Sequence, residues 1–111
     1  MPITMIQLSG SANGEQINIT DTATAGQTIH ICDASSTERL FLWAVNDGSV
    51  TVNLHLELGN AGQNVTTTIF PNGGEQEVLC GFVNFSAATV IAAYADTTTV
   101  ISIHGYVLQE S

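Results

Sequence analysis

The side chains best suited to acid–base or metal chemistry are three histidines, His30, His55 and His104. Each stands alone within a strand-like segment. None belongs to a pattern such as H-x-H or H-E-x-x-H, which would direct two imidazoles at one metal ion. We therefore predict histidines at the surface or at an interface, with no metal site and no other cofactor. The sequence alone does not show whether the three histidines come together in the folded chain.

The carboxylates are dispersed through turn-like segments, as at Asp21, Asp33, Asp47 and Asp96. Glycoside hydrolysis needs a facing pair of carboxyl groups, one of them with a raised pKa, and no spacing singles out such a pair. The sequence contains no EF-hand loop and no G-x-S-x-G elbow for a serine nucleophile. We therefore expect no catalytic residue and no enzyme activity. Loose Ca²⁺ binding by these loops stays open.

Cys32 and Cys80 are the only cysteines, which is too few for a disulfide-rich scaffold. Both lie at the ends of apolar runs, and cysteine is among the residues most often buried. Two buried free thiols are the expectation. A single disulfide between two sheets is the alternative.

Aromatic residues are the usual platforms of sugar-binding modules, and here they include Trp43, Tyr94 and Tyr106. Trp43 lies in the most apolar segment, so we expect it in the core rather than at a sugar platform. Tyr94 and Tyr106 are candidates for exposure. A carbohydrate- or receptor-binding module of a fibre or adhesin is therefore the alternative function.

The charge is one-sided, because ten Asp and Glu face a single basic side chain, Arg39, and the net charge is −9. Nucleic-acid binding needs several Lys or Arg to neutralise phosphates, and anionic membranes make the same demand. Nucleic-acid binding is therefore nearly excluded, and anionic membrane surfaces are disfavoured. Only 10% of the residues are charged, against about 25% in typical domains, which favours a chain that functions within an assembly.

The first eight residues do not resemble a signal peptide, so we expect synthesis in the cytoplasm.

Arg39 has two interpretations. It follows Glu38 directly, which suits a local ion pair at the surface. The alternative is a bidentate pair between this lone guanidinium and a carboxylate across a subunit interface.

The elements that must position these residues are strands. Val50, Val52, Leu54 and Leu56 alternate with polar residues, so we predict that these four point inward while Asn53, His55 and Glu57 face outward. Nine segments carry strand signals: Ile3–Leu8, Gln16–Thr20, Gln27–Cys32, Arg39–Val45, Ser49–Leu58, Val65–Phe70, Gln76–Cys80, Thr89–Ala95 and Thr99–Leu108.

Three local features refine this prediction. Asn46-Asp47-Gly48 separates two strand segments and predicts a tight hairpin with positive φ at Gly48. The segment Arg39–Val45 is apolar on both faces, which indicates a central strand or one buried at an interface. Gly105 falls on the inward face of the last strand, where glycine indicates a bulge or the close approach of another backbone.

The predicted fold is an all-β antiparallel β-sandwich of about eight to nine strands, jelly-roll-like or Ig-like. Turn signals recur about every ten residues, which is the spacing of sandwiches and barrels. Residues 1–111 form one domain, in which residues 1–12 are a candidate N-terminal arm.

From Leu40 onward the chain resembles small all-β proteins encoded near the major capsid genes of tailed bacteriophages. The resemblance is carried by L-F-L-W-A-V-N at Leu40–Asn46, T-V-N-L-H-L at Thr51–Leu56, and A-A-Y-A-D…V-I-S-I-H-G-Y-V within Ala92–Val107. It covers about two-thirds of the chain and implies a capsid decoration (cement) protein, commonly a homotrimer.

The resemblance implies two partners, the major capsid protein and further copies of the chain, and a place on the exterior of the virion. Nucleic acid and membrane are not expected as partners. The candidate residues for the oligomer or capsid interface are Arg39, Phe41, Trp43, His55, His104 and Tyr106.

Overall fold

The computed structural model describes residues 3–11, 14–23, 26–59, 64–72, 74–85 and 87–110. This part of the chain contains nine strands and no helix, as predicted. The strands are β1 (Ile3–Gln7), β2 (Ile17–Asn18), β3 (Gln27–Ile31), β4 (Thr37–Asn46), β5 (Val52–Leu58), β6 (Asn64–Ile69), β7 (Gln76–Phe85), β8 (Val90–Ala95) and β9 (Ile101–Glu110).

The strands form two antiparallel sheets. Sheet I has the order β1-β9-β4-β7, with β2 also paired to β9, and sheet II has the order β3-β8-β5-β6. The pairs β1·β9, β3·β8, β4·β7 and β5·β6 are nested, with the earliest strand against the latest. Such nesting results when one long antiparallel ribbon is wrapped on itself, so this strand order is that of a jelly roll. The prediction of a β-sandwich is confirmed.

The core lies between the sheets, and β5 shows how the alternating sequence builds it. Val52, Leu54 and Leu56 are buried as predicted. Val50 is 62% exposed, because it precedes the strand and has no place in the alternation. Glu57, predicted to face outward into solvent or toward a neighbour, is buried instead.

The hairpin predicted at residues 46–48 is wrong. Strand β4 pairs with β7 and β9 in sheet I, whereas β5 pairs with β6 and β8 in sheet II, so the chain crosses between layers here. The buried Asn46 side chain shapes the crossing. Its amide donates to the carbonyls of Val50 (2.8 Å) and Ile69 (3.0 Å), and its oxygen accepts from the amide of Gly48 (2.8 Å). Gly48 does not need a positive φ.

The two other local predictions are confirmed. Strand β4 is central in sheet I, between β9 and β7. Gly105 of β9 lies opposite Leu42, and a Cβ added there would lie 2.0 Å from the carbonyl oxygen of Phe41. Gly105 is therefore required by the close approach of β4, because any side chain would force the two backbones apart.

Replacing Leu54 with alanine should lower the free energy of unfolding by about 2–5 kcal/mol, since its side chain is fully buried and the substitution leaves a cavity. Val50→Ala is the matched control and should change stability by less than about 0.5 kcal/mol, because Val50 is exposed. Urea denaturation measures both. Equal losses for the two variants would contradict the assigned register.

Asn46→Asp should destabilise the protein by about 3 kcal/mol, because a carboxylate oxygen replaces the amide that donates to two carbonyls. Asn53→Asp is the control. The Asn53 side-chain oxygen accepts a hydrogen bond from Thr68 (3.0 Å), and a carboxylate keeps that bond. Thermal unfolding of both variants checks the prediction, which fails if Asn46→Asp unfolds at the wild-type temperature.

Candidate functional site

Four of the predicted interface residues form one row on the outer face of sheet I, which we call the aromatic column. It consists of Phe41 and Trp43 from β4 and His104 and Tyr106 from β9. The register pairs Phe41 with Tyr106 and Trp43 with His104, so all four side chains leave the same side of the sheet. The ring centroids lie 5.1 Å apart for Phe41–Tyr106, 5.9 Å for Trp43–Tyr106 and 6.0 Å for Trp43–His104.

The aromatic column lies beside exposed apolar residues of the edge strand β1. Ile3 is 58% exposed and Met5 is 68% exposed, and Met5 pairs with Leu108 of β9, two residues beyond Tyr106.

The prediction that Trp43 lies in the core is wrong. Trp43 occupies an odd-numbered position of β4, and the odd-numbered side chains point outward. The even-numbered Leu40 and Leu42 point inward. An apolar strand therefore supplies both a core row and an apolar outer row.

Arg39 extends the same outer row of β4 and is exposed. The local ion pair predicted between Arg39 and Glu38 is not formed, because consecutive strand residues point to opposite faces and Glu38 is buried. Within the described residues, no carboxylate lies within 4 Å of the Arg39 guanidinium. The single basic side chain is thus free for an external partner.

His104 closes the aromatic column at its other end. Its Nε2 atom lies 2.6 Å from a Glu75 carboxylate oxygen, and both side chains are partly exposed. Its Nδ1 atom is buried and has no hydrogen-bond partner among the described residues. One ring nitrogen of His104 therefore makes no hydrogen bond within the described part of the chain.

His55 lies apart from the other predicted residues, on the outer face of sheet II. It contacts Asp96 through Nε2 (2.9 Å) and Thr66 through Nδ1 (3.1 Å), and its ring stacks on Tyr94 at 4.5 Å between centroids. Carboxylate, imidazole and hydroxyl are the groups of a hydrolytic triad. However, Thr66 and Tyr94 are the direct cross-strand neighbours of His55, so pairing alone accounts for much of this grouping.

A second group of polar and ionisable side chains lies in the interior, and the sequence did not indicate it. His30, Cys32 and Glu38 are all buried, and one potential ligand atom from each lies within 4.8 Å of the others. The prediction that His30 lies at the surface is wrong, since only 2% of the residue is exposed. Gln109 completes the group by donating its amide to Glu38 at 2.8 Å. We call these four residues the buried cluster.

Hydrogen bonding assigns the tautomer of the neutral His30 ring. The backbone amide of Ser9 donates to its Nδ1 atom (3.0 Å), so the ring proton of the neutral imidazole must be on Nε2. That proton is directed at Glu38 Oε1, 2.7 Å away. Burial, together with the charge of Glu38 and its hydrogen bond, raises the pKa of the Cys32 thiol to about 11. Cys32 is therefore a protonated thiol at neutral pH.

The crossing from β3 to β4 positions the buried cluster. His30 lies in β3, Cys32 follows that strand, and Glu38 is the second residue of β4, where it pairs with Gln109. Asp33 shapes the turn between the strands. It accepts hydrogen bonds from the backbone and hydroxyl groups of Ser35 and from the hydroxyl group of Ser36, and these bonds lower its pKa.

Sequence reasoning missed the buried cluster because its spacing is unremarkable. H-x-C places His30 and Cys32 on one face of an extended segment, but Glu38 comes from the opposite sheet and Gln109 is 71 positions beyond Glu38. Only the fold brings them together. The expectation of two buried thiols is correct for Cys32 and wrong for Cys80, which is exposed on β7, and both cysteines are free.

The two cysteines should differ in reactivity, since the thiolate is the nucleophile. In a reduced, chelator-treated sample at pH 8, a maleimide should modify Cys80 rapidly and Cys32 only upon unfolding. Peptide mass spectrometry over time measures both rates. Comparable rates for the two thiols would show that Cys32 is accessible and that its pKa is not raised.

Stability should also fall at alkaline pH. The folded-state pKa of Cys32 lies above its ordinary value of 9.0, so its contribution is fully present below pH 9 and is lost as the pH rises to about 11. The loss should be about 2 kcal/mol. Cys32→Ala should remove this part of the pH dependence and Cys80→Ala should retain it, as measured by denaturant unfolding from pH 8 to pH 11.

The described residues contain no helix that is long and apolar enough to cross a membrane.

Comparison with known proteins identifies no relative of this chain. No protein-family model, curated protein or solved structure matches the chain.

Proposed function

We propose that this chain is a non-catalytic structural protein that associates with copies of itself and docks on the outside of a larger protein shell. The observation that carries the proposal is the aromatic column with the exposed Ile3 and Met5 beside it, on one outer face of the sandwich. Contiguous apolar surface of this kind is characteristic of protein–protein contact sites. In the light of the sequence resemblance, the shell is the head of a tailed bacteriophage and the chain is a capsid decoration protein.

The contrast between the two outer faces supports this proposal. On sheet II the middle of the outer face is polar, with Asn53 bonded to Thr68 and His55 bonded to Thr66. These side chains satisfy one another and suit a surface in water. Sheet II does expose the paired Ile31 and Val90 at one end of β3 and β8. Sheet I presents a larger set of aromatic and aliphatic groups, so it is the face with more to gain from being covered.

The size of the face is adequate for a specific contact. Three strands of ten residues and one of five, about 4.8 Å apart, span about 550 Å². One side of a standard protein–protein interface buries about 800 Å². The face of sheet I, with a modest contribution from adjoining loops, therefore suffices for one stable contact.

Charge also favours a protein partner. The net charge of −9 disfavours the packaged genome as a partner and favours neutral or basic protein surfaces. Arg39 lies on the same outer face as the aromatic column and has no carboxylate partner within the described residues. A carboxylate of a neighbouring subunit could form a bidentate pair with it. The threefold symmetry of the proposed homotrimer comes from the resemblance.

The carbohydrate-binding alternative has weaker support. Jelly rolls serve in lectins as well as in viral capsids, so the fold does not discriminate. A sugar platform must offer the face of a ring, yet Tyr106 stacks between Phe41 and Trp43. Tyr94 likewise has one face against His55. No described observation favours this function over docking.

Light scattering in moderate salt should report three times the 11.7 kDa mass of the chain. Met5→Glu should weaken the self-association, because it introduces a charge beside the aromatic column at a position that is 68% exposed and tolerant in the monomer. Val50→Glu is the control, with the same charge change at a position that is 62% exposed on a loop. A monomer at tens of micromolar, independent of concentration, would exclude the trimer.

The docking proposal is tested by co-sedimentation with purified empty heads of the phage that encodes the chain. Wild-type protein should sediment with the heads at a saturable ratio. A stable trimer that does not bind heads would exclude the decoration function. A glycan array is then the next test, and binding that depends on Tyr94 or Tyr106 would establish the fibre or adhesin alternative.

A further inference from the structure

We propose that the buried cluster is a Zn²⁺ site, with His30 Nε2, Cys32 Sγ and a carboxylate oxygen of Glu38 as ligands. The three atoms lie within 4.8 Å of one another, and all three residues are buried. This inference is independent of the docking function, because the cluster lies inside the sandwich and the aromatic column lies outside it.

The donor set is the first argument. Imidazole nitrogen, thiolate sulfur and carboxylate oxygen are the ligands of protein zinc sites, at about 2.0–2.3 Å from the metal. Donors at those distances in a tetrahedron lie about 3.3–3.8 Å apart. The His30 Nε2–Glu38 Oε1 pair, now 2.7 Å apart, would separate slightly, and any separation near the 4.8 Å limit of the cluster would shorten by about 1 Å. Mg²⁺ and Ca²⁺ prefer oxygen ligands and would gain little from Cys32 and His30. Gln109 donates to the second carboxylate oxygen of Glu38 at 2.8 Å and would hold that ligand in place.

The second argument is the charge of the interior. Glu38 is 1% exposed, and the hydrogen bonds directed at it from His30, Cys32 and Gln109 come from neutral groups. Arg39 points to the opposite face of the sheet, so it does not neutralise Glu38. Zn²⁺ would replace the two hydrogens directed at Glu38, and the carboxylate and thiolate together would balance its charge.

The proton balance gives a quantitative expectation. The Cys32 thiol releases its proton to solvent when it becomes a thiolate ligand. His30 moves its proton from Nε2 to Nδ1 and stays neutral. One proton is therefore released for each Zn²⁺ bound, because the thiol becomes a thiolate and the imidazole stays neutral.

The tautomer change has a structural consequence. With a proton on Nδ1, His30 can no longer accept the hydrogen bond from the Ser9 backbone amide, which must turn away. Loss of one hydrogen bond costs about tenfold in affinity. This loss is small, because the apparent association constants of structural zinc sites are about seven or more powers of ten above 1 M⁻¹. Zinc binding should therefore release the Ser9 amide while tying β3 to β4.

The test uses the full chain, reduced and stripped of metal. Co²⁺, a spectroscopic substitute for Zn²⁺, should bind at one equivalent and produce a cysteinate-to-cobalt charge-transfer band that one equivalent of Zn²⁺ abolishes. Calorimetry in buffers of different ionisation enthalpy should give one proton per Zn²⁺. At a free Zn²⁺ concentration of about 100 times Kd, Tm should rise by about 10 °C. Hydrogen exchange at the Ser9 amide should accelerate.

Cys32→Ser should lose the charge-transfer band and Cys80→Ser should keep it, so the exposed thiol serves as the matched control. The wild-type measurements decide the question even if Cys32→Ser fails to fold. Failure of the reduced wild-type chain to bind Co²⁺ or Zn²⁺ stoichiometrically at micromolar concentration would overturn the proposal. Persistence of the band in Cys32→Ser, or displacement of Co²⁺ by Ca²⁺, would also overturn it.

Discussion

The register between β4 and β9 is the constraint on which both candidate sites depend. These central strands of sheet I pair over ten positions, from Thr37–Glu110 to Asn46–Ile101. Because side chains alternate between faces, one register places Phe41 beside Tyr106 outside the sheet and Glu38 beside Gln109 inside it. A slip of one residue would send the aromatic column into the core and expose the core leucines. The outer surface and the interior are thus specified together.

The inward row of β4 shows how this register is connected to the loops. Leu40, Leu42 and Ala44 are fully buried between two buried polar residues, Glu38 and Asn46. Each polar residue lies where the chain crosses between the sheets, Glu38 near the entry from β3 and Asn46 at the exit to β5. Polar groups in a core are favourable only when they are hydrogen-bonded, and their partners restrict where each crossing can run. Gly105 adds a steric requirement, since only glycine fits opposite Leu42.

The sequence predicted the strands and failed at relations between distant segments. Period-two alternation is a local property, and nine strands were found near the expected positions. Asn46–Gly48 correctly indicated a change of chain direction, but a turn signal does not say whether the next strand pairs in the same sheet. Trp43 was misplaced because composition cannot separate an apolar outer row from a core row. Four of the six candidate interface residues nevertheless lie in one column, because alternate positions on paired strands share a face.

The buried cluster was beyond sequence reasoning for a different physical reason. A buried carboxylate is unfavourable unless donors surround it, and apolar residues of similar volume often stabilise a core as well or better. Nothing in the residue types around Glu38 indicates that three donors will converge on it from β3, β9 and the turn between the sheets. The aromatic column gains free energy when it is covered, whereas the cluster is costly to bury and gains when a cation neutralises it. The two proposed partners therefore differ, a protein surface outside and a metal ion inside, although β4 and β9 contribute to both sites.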